Sequence, residues 1–402
     1  MDSLQFLPSW PPGFTPLAWV AVLLLAAVVA GEAARRWLRV SRVIGHLAVG
    51  ALLGPAALGV VDAPMLAQLR IFADIGVGLL LFELGQRAEL GWLRRNPMLL
   101  AASAAEAALT FVAVFGVMLL FGLRPVTAAA AGVLAMATAP AVVMTVIKDT
   151  RAQGQVTERI TLLTVLNTAY AVIALALLFG WLSADTDRPV SAALLMPLYL
   201  LAGSSLAALI LARITLALLR LFGRRPPYQF AVTVGIVLLT VTLAGALNLS
   251  VPLALLLLGV FSRALDPERH FVALRFGESA MLFVVLLFAI AGASLQFAGW
   301  QAALPVALAF IAARFVGKLL PVVMMAGPTH TTTQKAWLVA FGLTPMSGLA
   351  LLMLTDLTRH APRLSDELGA SMFLAITLLA FIGPLATEFA LRRAGETAEE
   401  PR

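Results

Sequence analysis

Long apolar runs, each ended by a short cluster of Arg, Pro, Gly or Asp, recur along the whole chain. Thirteen of them read as membrane spans, at about 16–34, 43–61, 68–86, 97–122, 126–147, 159–183, 190–212, 228–247, 251–265, 277–297, 302–325, 335–356 and 368–391. Crossing a bilayer takes roughly 20 apolar residues in a helix, because lipid offers the backbone no hydrogen-bond partner. The pattern therefore predicts an all-α polytopic membrane protein of about thirteen transmembrane helices. The first run does not read as a cleaved signal peptide: the flank from Met1 to Pro12 carries no Lys or Arg, and the basic cluster follows the run. The connections are short and the tail after Arg393 is brief, so residues 1–402 are expected to form one membrane unit without a soluble regulatory domain.

Composition agrees with lipid as the solvent. Of 402 residues, 61% are hydrophobic and 12% are charged, against about 25% charged in a soluble domain. The net charge of +7 is loop charge. One set of alternate loops holds twenty-one Lys and Arg and the opposite set five, with Arg314 and Lys318 inside a span. Positive loops stay cytoplasmic, so the N-terminus is expected outside and the C-terminus in the cytoplasm, and no nucleic-acid partner is implied. Cysteine is absent and the four histidines are scattered, which leaves no thiolate metal site or disulfide framework. No HExxH, Walker loop, GxGxxG after a strand or GxSxG occurs. Neither an enzyme nor a cofactor is expected.

Pairing span n with span n+7 brings similar segments together in opposite orientation. Span 2 contains GHLAVGALLG (45–54) and span 9 VPLALLLLG (251–259), both short and rich in Leu and Gly. Span 5 contains Thr138-Ala139-Pro140 and span 12 Thr344-Pro345-Met346-Ser347-Gly348. Proline removes a donor and clashes with the preceding turn, so each span should break there. Two broken helices at matching positions of inverted halves are the best pointer in a sequence to a transport site. Kinks used only for packing are the bland alternative. The expected division is a first repeat over about 16–183, a linker helix over about 190–212 and a second repeat over about 228–391.

At these residues the chain resembles the monovalent cation:proton antiporter superfamily, the sodium/hydrogen exchanger-like membrane domains. The resemblance runs in order through GHLAVGALLGPAALGVV in span 2, DIGVGLLLFELG in span 3, LLFAIAGASLQF in span 10, ARFVGKLL in span 11 and GLTPMSGLALLM in span 12. It implies a mobile core domain, a dimerisation domain, a homodimer, two crossing broken helices, and an aspartate beside the crossing that holds a proton or a monovalent cation in turn. The expected setting is the bilayer of a bacterial inner (plasma) membrane. Two positions depart from the family pattern. Ala139 stands where Thr-Asp-Pro is usual, and Asn167-Thr168 where Asn-Asp or Asp-Asp is usual. Threonine does not titrate at ordinary pH.

Ionisable residues at membrane depth are costly and so are functional candidates. Arg314 should lie near mid-membrane, with Glu106 as first-choice partner and Glu83 as second. Lys318, one turn on, is expected to snorkel to the interface. Glu106 is the deepest carboxylate on these boundaries, and Glu83 is expected close to an interface. Glu32, Asp149, Glu278, Asp356 and Glu388 lie near span ends. The candidate ion-binding set is therefore Thr138, Pro140, Asn167, Thr168, Arg314, Thr344, Pro345, Glu106 and Glu83. Two readings follow. In the first, the chain exchanges Na⁺ or K⁺ for protons, with Glu106 or Glu83 replacing the missing aspartate. The alternative is an antiporter fold that has lost proton coupling, with a neutral polar site at Thr138, Asn167, Thr168 and Thr344.

Overall fold

The computed structural model describes residues 16–38, 40–87, 96–184, 190–222, 226–266, 278–294, 300–346, 348–360 and 362–398. Ser347 and the side chains of Glu278 and Asp356 lie outside the described residues. Among these residues the regular structure is entirely helical. The helices are α1 (Pro16–Ala33, continued by a π-turn over Ala34–Leu38), α2 (Arg42–Leu53), α3 (Ala63–Arg87), α4 (Pro97–Leu120), α5 (Pro125–Met136), α6 (Pro140–Thr150), α7 (Gln155–Ala184) and α8 (Val190–Phe222). They continue with α9 (Pro226–Ala246), α10 (Val251–Ala264), α11 (Glu278–Ala293), α12 (Trp300–Met324), α13 (Thr333–Gly342), α14 (Gly348–His360) and α15 (Pro362–Arg393). Among the described residues, eight segments are long and apolar enough to cross a bilayer, with α5 and α6 taken as one, and three shorter apolar helices, within α2, α10 and α11, accompany them. Length and apolarity thus support eight of the thirteen expected crossings directly.

Local chemistry sets the ends. Ser41, Ser250 and Thr332 precede α2, α10 and α13, and their side-chain oxygens accept from Val43, Leu253 and Lys335 N–H, satisfying donors that a helix start leaves orphaned. Proline opens α4, α5 and α6, where its missing N–H costs nothing. Many large apolar side chains point outward, among them Leu25, Val29, Leu120, Leu195, Leu206 and Phe389. That surface suits lipid.

The helices pack as two bundles. One holds α1–α3 with α8–α11, around cores such as Leu79, Phe82, Leu211 and Leu258, and Leu23, Leu69 and Ile290. The other holds α4–α7 with α12–α15, around Val114, Leu134, Phe310, Met346 and Leu379. A third cluster, from Leu47 and Leu80 to Val143 and Leu343, joins them. Glycine permits the tightest approaches. A Cβ at Gly383 of α15 would lie 2.5 Å from Pro345 Cα, and one at Gly317 of α12 would lie 2.5 Å from Thr110 Cα. Both glycines let a helix press directly on the segments described next.

Candidate functional site

Both expected breaks are present. Helix α5 stops at Met136, Ala137 and Ala139 are extended, and α6 starts at Pro140. Helix α13 stops at Gly342, residues 344–346 are non-helical, and α14 starts at Gly348. The two breaks cross: Ala139 N–H donates to Pro345 C=O at 2.9 Å, and Thr138 Oγ1 donates to Leu343 C=O at 3.4 Å. Asn167 Nδ2 on α7 donates to Thr138 Oγ1 at 3.2 Å, while its Oδ1 is buried without a partner. Thr168 is buried beside it, but its hydroxyl is spent on Thr164 C=O at 2.8 Å. Thr344 Oγ1 is buried and unpartnered.

Each broken helix leaves C-terminal carbonyls that carry partial negative charge. Arg314 of α12, 1% exposed, gathers them from both. Its Nε donates to Ala135 C=O at 3.0 Å and Nη1 to Thr344 C=O at 2.8 Å. Its Nη2 faces the carbonyls of Ala137 at 2.7 Å, Leu343 at 3.3 Å and Pro345 at 3.5 Å. A rigid planar fork with five donors fits two helix ends at once, which an ammonium cannot do. The expected ion pair between Arg314 and Glu106 is therefore corrected: backbone carbonyls, not a carboxylate, hold this guanidinium.

Glu106 pairs instead with Lys318, at 2.6 Å. Lys318 Nζ also donates to Met136 C=O at 3.2 Å, the last residue of α5. Exposures of 1% for Lys318 and 0% for Glu106 make this an ion pair withdrawn from solvent. The expectation that Lys318 snorkels to an interface is overturned. One turn beyond Arg314 on the same helix face, its ammonium points inward because a carboxylate on α4 meets it there. Glu83, the other carboxylate candidate, sits elsewhere. It pairs at 2.5 Å with Lys148, whose side chain is 33% exposed, near the far end of α6. It is thus not a partner of Arg314 either.

Where the N-terminal ends of α6 and α14 meet the other bundle, a narrow cleft with room for little more than one water molecule is lined by Pro140, Ala141 and Gly348 on one side and Leu80, Leu81 and Phe288 on the other. No Asp or Glu lines it among the described residues. The carboxylate nearest in the chain of contacts to the crossing is Glu106, which reaches the end of α5 through Lys318.

Of the nine candidates read from the sequence, Thr138, Pro140, Asn167, Arg314, Thr344 and Pro345 lie at the crossing, Thr168 follows Asn167 with its hydroxyl bonded to its own helix, Glu106 lies one contact away through Lys318, and Glu83 lies apart with Lys148. Sequence reasoning missed Lys318 as a site residue, and with it Ser103 and Thr110, which share the Glu106 face of α4 and are fully buried. The signal was available as Ser103-x-x-Glu106-x-x-x-Thr110, polar residues at i, i+3 and i+7 in an otherwise apolar helix.

The family model for the transmembrane sodium/hydrogen exchanger matches residues 21–393. The chain belongs to the sodium/hydrogen exchanger family. A curated relative, the probable Na⁺/H⁺ antiporter GerT of Bacillus cereus, is 33% identical over 131 residues, which is 32% of this chain. The match spans only 34% of that relative's length. Among solved structures, two of the sodium proton antiporter MjNhaP1 from Methanocaldococcus jannaschii share the fold. One has a TM-score of 0.73 at 15% identity, covering 96% of this chain and 99% of that one. The other has a TM-score of 0.67 at 16% identity, covering 94% and 95%. Within the sodium/hydrogen exchanger family this chain is a membrane protein with Ala139 in the crossing and Thr168 beside Asn167 on α7, neither of which ionises.

Proposed function

We propose that this exchanger couples a monovalent cation, Na⁺ or K⁺, to protons in counterflow, and that the Glu106–Lys318 pair is its titrating group. The observation that carries the reading is the fully buried carboxylate–ammonium pair, anchored at Met136 C=O on the end of a broken helix. A proton and a metal cation can alternate only at a group whose charge both can balance. At the crossing itself, Ala139, Thr168 and Thr344 supply no such group, and Asn167 is neutral. Arg314 serves there as a fixed counter-charge for helix ends. In a low-dielectric site two positive charges on one carboxylate are held only at high cost, so entry of a cation at Glu106 favours departure of a proton from the pair.

The repeat division into 16–183, a linker helix 190–212 and 228–391 belongs to this reading. It is supported by packing that exchanges under the repeat: α2 lies on α11 as α10 lies on α3. The same glycine contacts recur, Gly50 and Gly292 in the first pair, Gly259 and Gly85 in the second. Movement of the α4–α7, α12–α15 bundle against the other would carry the site across the bilayer. We place the protein as a homodimer in a bacterial inner membrane, N-terminus outside, with the arginine excess of the cytoplasmic loops as the support for orientation.

The test is flux. Purified protein in proteoliposomes with an imposed pH gradient should dissipate it on addition of Na⁺, K⁺ or Li⁺. Glu106→Gln should abolish the response, while Glu83→Gln should keep it. Absence of any cation response in the wild type, or full exchange in Glu106→Gln, overturns the proposal.

A further inference from the structure

Helical hydroxyls in this protein follow a habit. Thr150, Thr161, Thr164, Thr168, Thr215, Thr233, Thr240 and Thr377 each donate to the carbonyl four residues back, at 2.7–2.8 Å or, for Thr215, 2.6 Å. Ser205 and Ser294 do the same. A hydroxyl in lipid or in a packed core has few other partners. Ser262 of α10 departs from it singly; on α4, Ser103 and Thr110 depart from it together: both are fully buried, and neither hydroxyl donates to a backbone carbonyl. Between them lies Glu106, whose Oε2 is also buried and unpartnered, while its Oε1 takes the Lys318 ammonium at 2.6 Å. Residues at i, i+3 and i+7 share one helix face. Three orphaned oxygens on one buried stripe are therefore neighbours, and each orphan costs on the order of 1–3 kcal/mol while it stays unsatisfied.

We infer that Ser103, Glu106 and Thr110 form the first ligand shell of an alkali-cation site on the buried face of α4. This rests on the antiport reading and names the ligands it would use, which lie off the crossing of the broken helices. Oxygen donors are the chemistry that a hard cation takes. A carboxylate oxygen supplies charge, and the two hydroxyls replace water in the shell. Met136 C=O, which accepts from the same Lys318 ammonium at 3.2 Å, supplies a backbone oxygen beside Glu106. Gly317 makes the enclosure possible: without a side chain there, α12 lies against Thr110 and closes the stripe from bulk solvent. Both hydroxyls can turn their protons away and present lone pairs, so the cation needs no rearrangement of the helix.

The experiment compares wild type with Ser103→Ala/Thr110→Val, and with Thr215→Val as a control. Thr215 is equally buried, but its hydroxyl is spent on Leu211 C=O in α8. Two readouts are taken: the shift in thermal midpoint of the detergent-solubilised protein when NaCl, KCl or LiCl replaces choline chloride, and the apparent KM for each cation in proteoliposomes. The double variant should fold with a midpoint in choline at or above that of wild type, because two unsatisfied hydroxyls are gone, lose most of its cation-induced shift and raise the apparent KM tenfold or more. Thr215→Val should keep the wild-type shift and KM. If wild type exchanges cations and the double variant keeps both its shift and its KM, the ligand assignment is wrong and antiport stands. If wild type shows neither a shift nor exchange, the antiport reading falls, and this site with it.

Discussion

Two charged regions of this protein use the same side-chain chemistry under opposite conditions. In the middle of the second bundle, Arg314, Lys318 and Glu106 are at most 1% exposed, and every donor nitrogen is met by protein acceptors alone. At one end of the molecule, a belt of ion pairs joins the two bundles. It includes Arg42 with Asp149 and Glu32, Lys148 with Glu83, and Arg35 and Arg392 with Glu388. Most of its carboxylates are largely covered, but Arg42, Glu32 and Glu388 take part in more than one pair and the cations reach solvent more often: Arg42 is 30% exposed and Arg36, which also pairs with Glu32, is 73% exposed. A charge there that loses one partner finds water or another. In the centre, a lost partner leaves a charge or a row of carbonyls with nothing. The difference teaches that ion-pair distance alone ranks nothing here; burial and redundancy do.

That contrast can be broken most sharply at Arg314. Arg314→Met should leave the carbonyls of both broken helices uncapped and cost roughly 3–5 kcal/mol or prevent folding. Arg314→Lys should recover only part of it, since three donors on a point cannot reach both helix ends. Thermal unfolding in detergent and the monodisperse yield would show it, and a wild-type midpoint in Arg314→Met would contradict the dipole-capping account. Glu106→Gln comes next. It strands the Lys318 ammonium, and a loss on the order of 3 kcal/mol is expected. Adding Lys318→Met should restore stability but not cation exchange, which separates the pair's structural cost from its transport role. A double variant as unstable as Glu106→Gln would argue against the pairing.

Gly383→Ala should act without touching any charge. Its Cβ would sit 2.5 Å from Pro345 Cα, and overpacking of this kind costs about 1–3 kcal/mol. The expected signature is a lowered midpoint with exchange impaired, because the break in the second repeat must shift. In the belt, Asp149→Asn should cost about 1 kcal/mol or less, shrinking further in high salt, since Arg42 keeps Glu32. The smallest effect is expected at Arg36→Gln. That residue makes an exposed pair one turn along the helix with Glu32, worth about 0.3–0.5 kcal/mol. A belt substitution that matched Glu106→Gln in cost would remove the distinction between the two regions.

The helical layout was legible in the chain because lipid imposes one rule, an apolar run of fixed minimum length, and the runs are separated by Arg, Pro and Gly. The breaks at Pro140 and Pro345 were legible for a similarly local reason: proline acts on its own turn. That Ala139 and Thr168 carry no ionisable group could be read too, since side-chain identity needs no partner to be known. Which charges meet was not legible. Arg314 and Lys318 are one turn apart on α12, and Glu106 was within plausible reach of either.

By itself, then, the sequence determined the solvent of this protein, the all-helical layout, the sites of the two interruptions and the lack of an aspartate in the residues that form them. Each of these follows from residues acting on their own or neighbouring turns. Only the tertiary structure decided that the guanidinium would serve helix carbonyls and the ammonium the carboxylate. The pairing depends on side-chain reach across α4, α5, α12 and α13. The ends of two broken helices offer five carbonyls in a fan that fits a planar fork, and Glu106 is set one turn further along, where the single Nζ of Lys318 arrives. No spacing within one helix carries that information, because the acceptors come from segments about 180 and 30 residues away in the chain and meet only when the bundle closes.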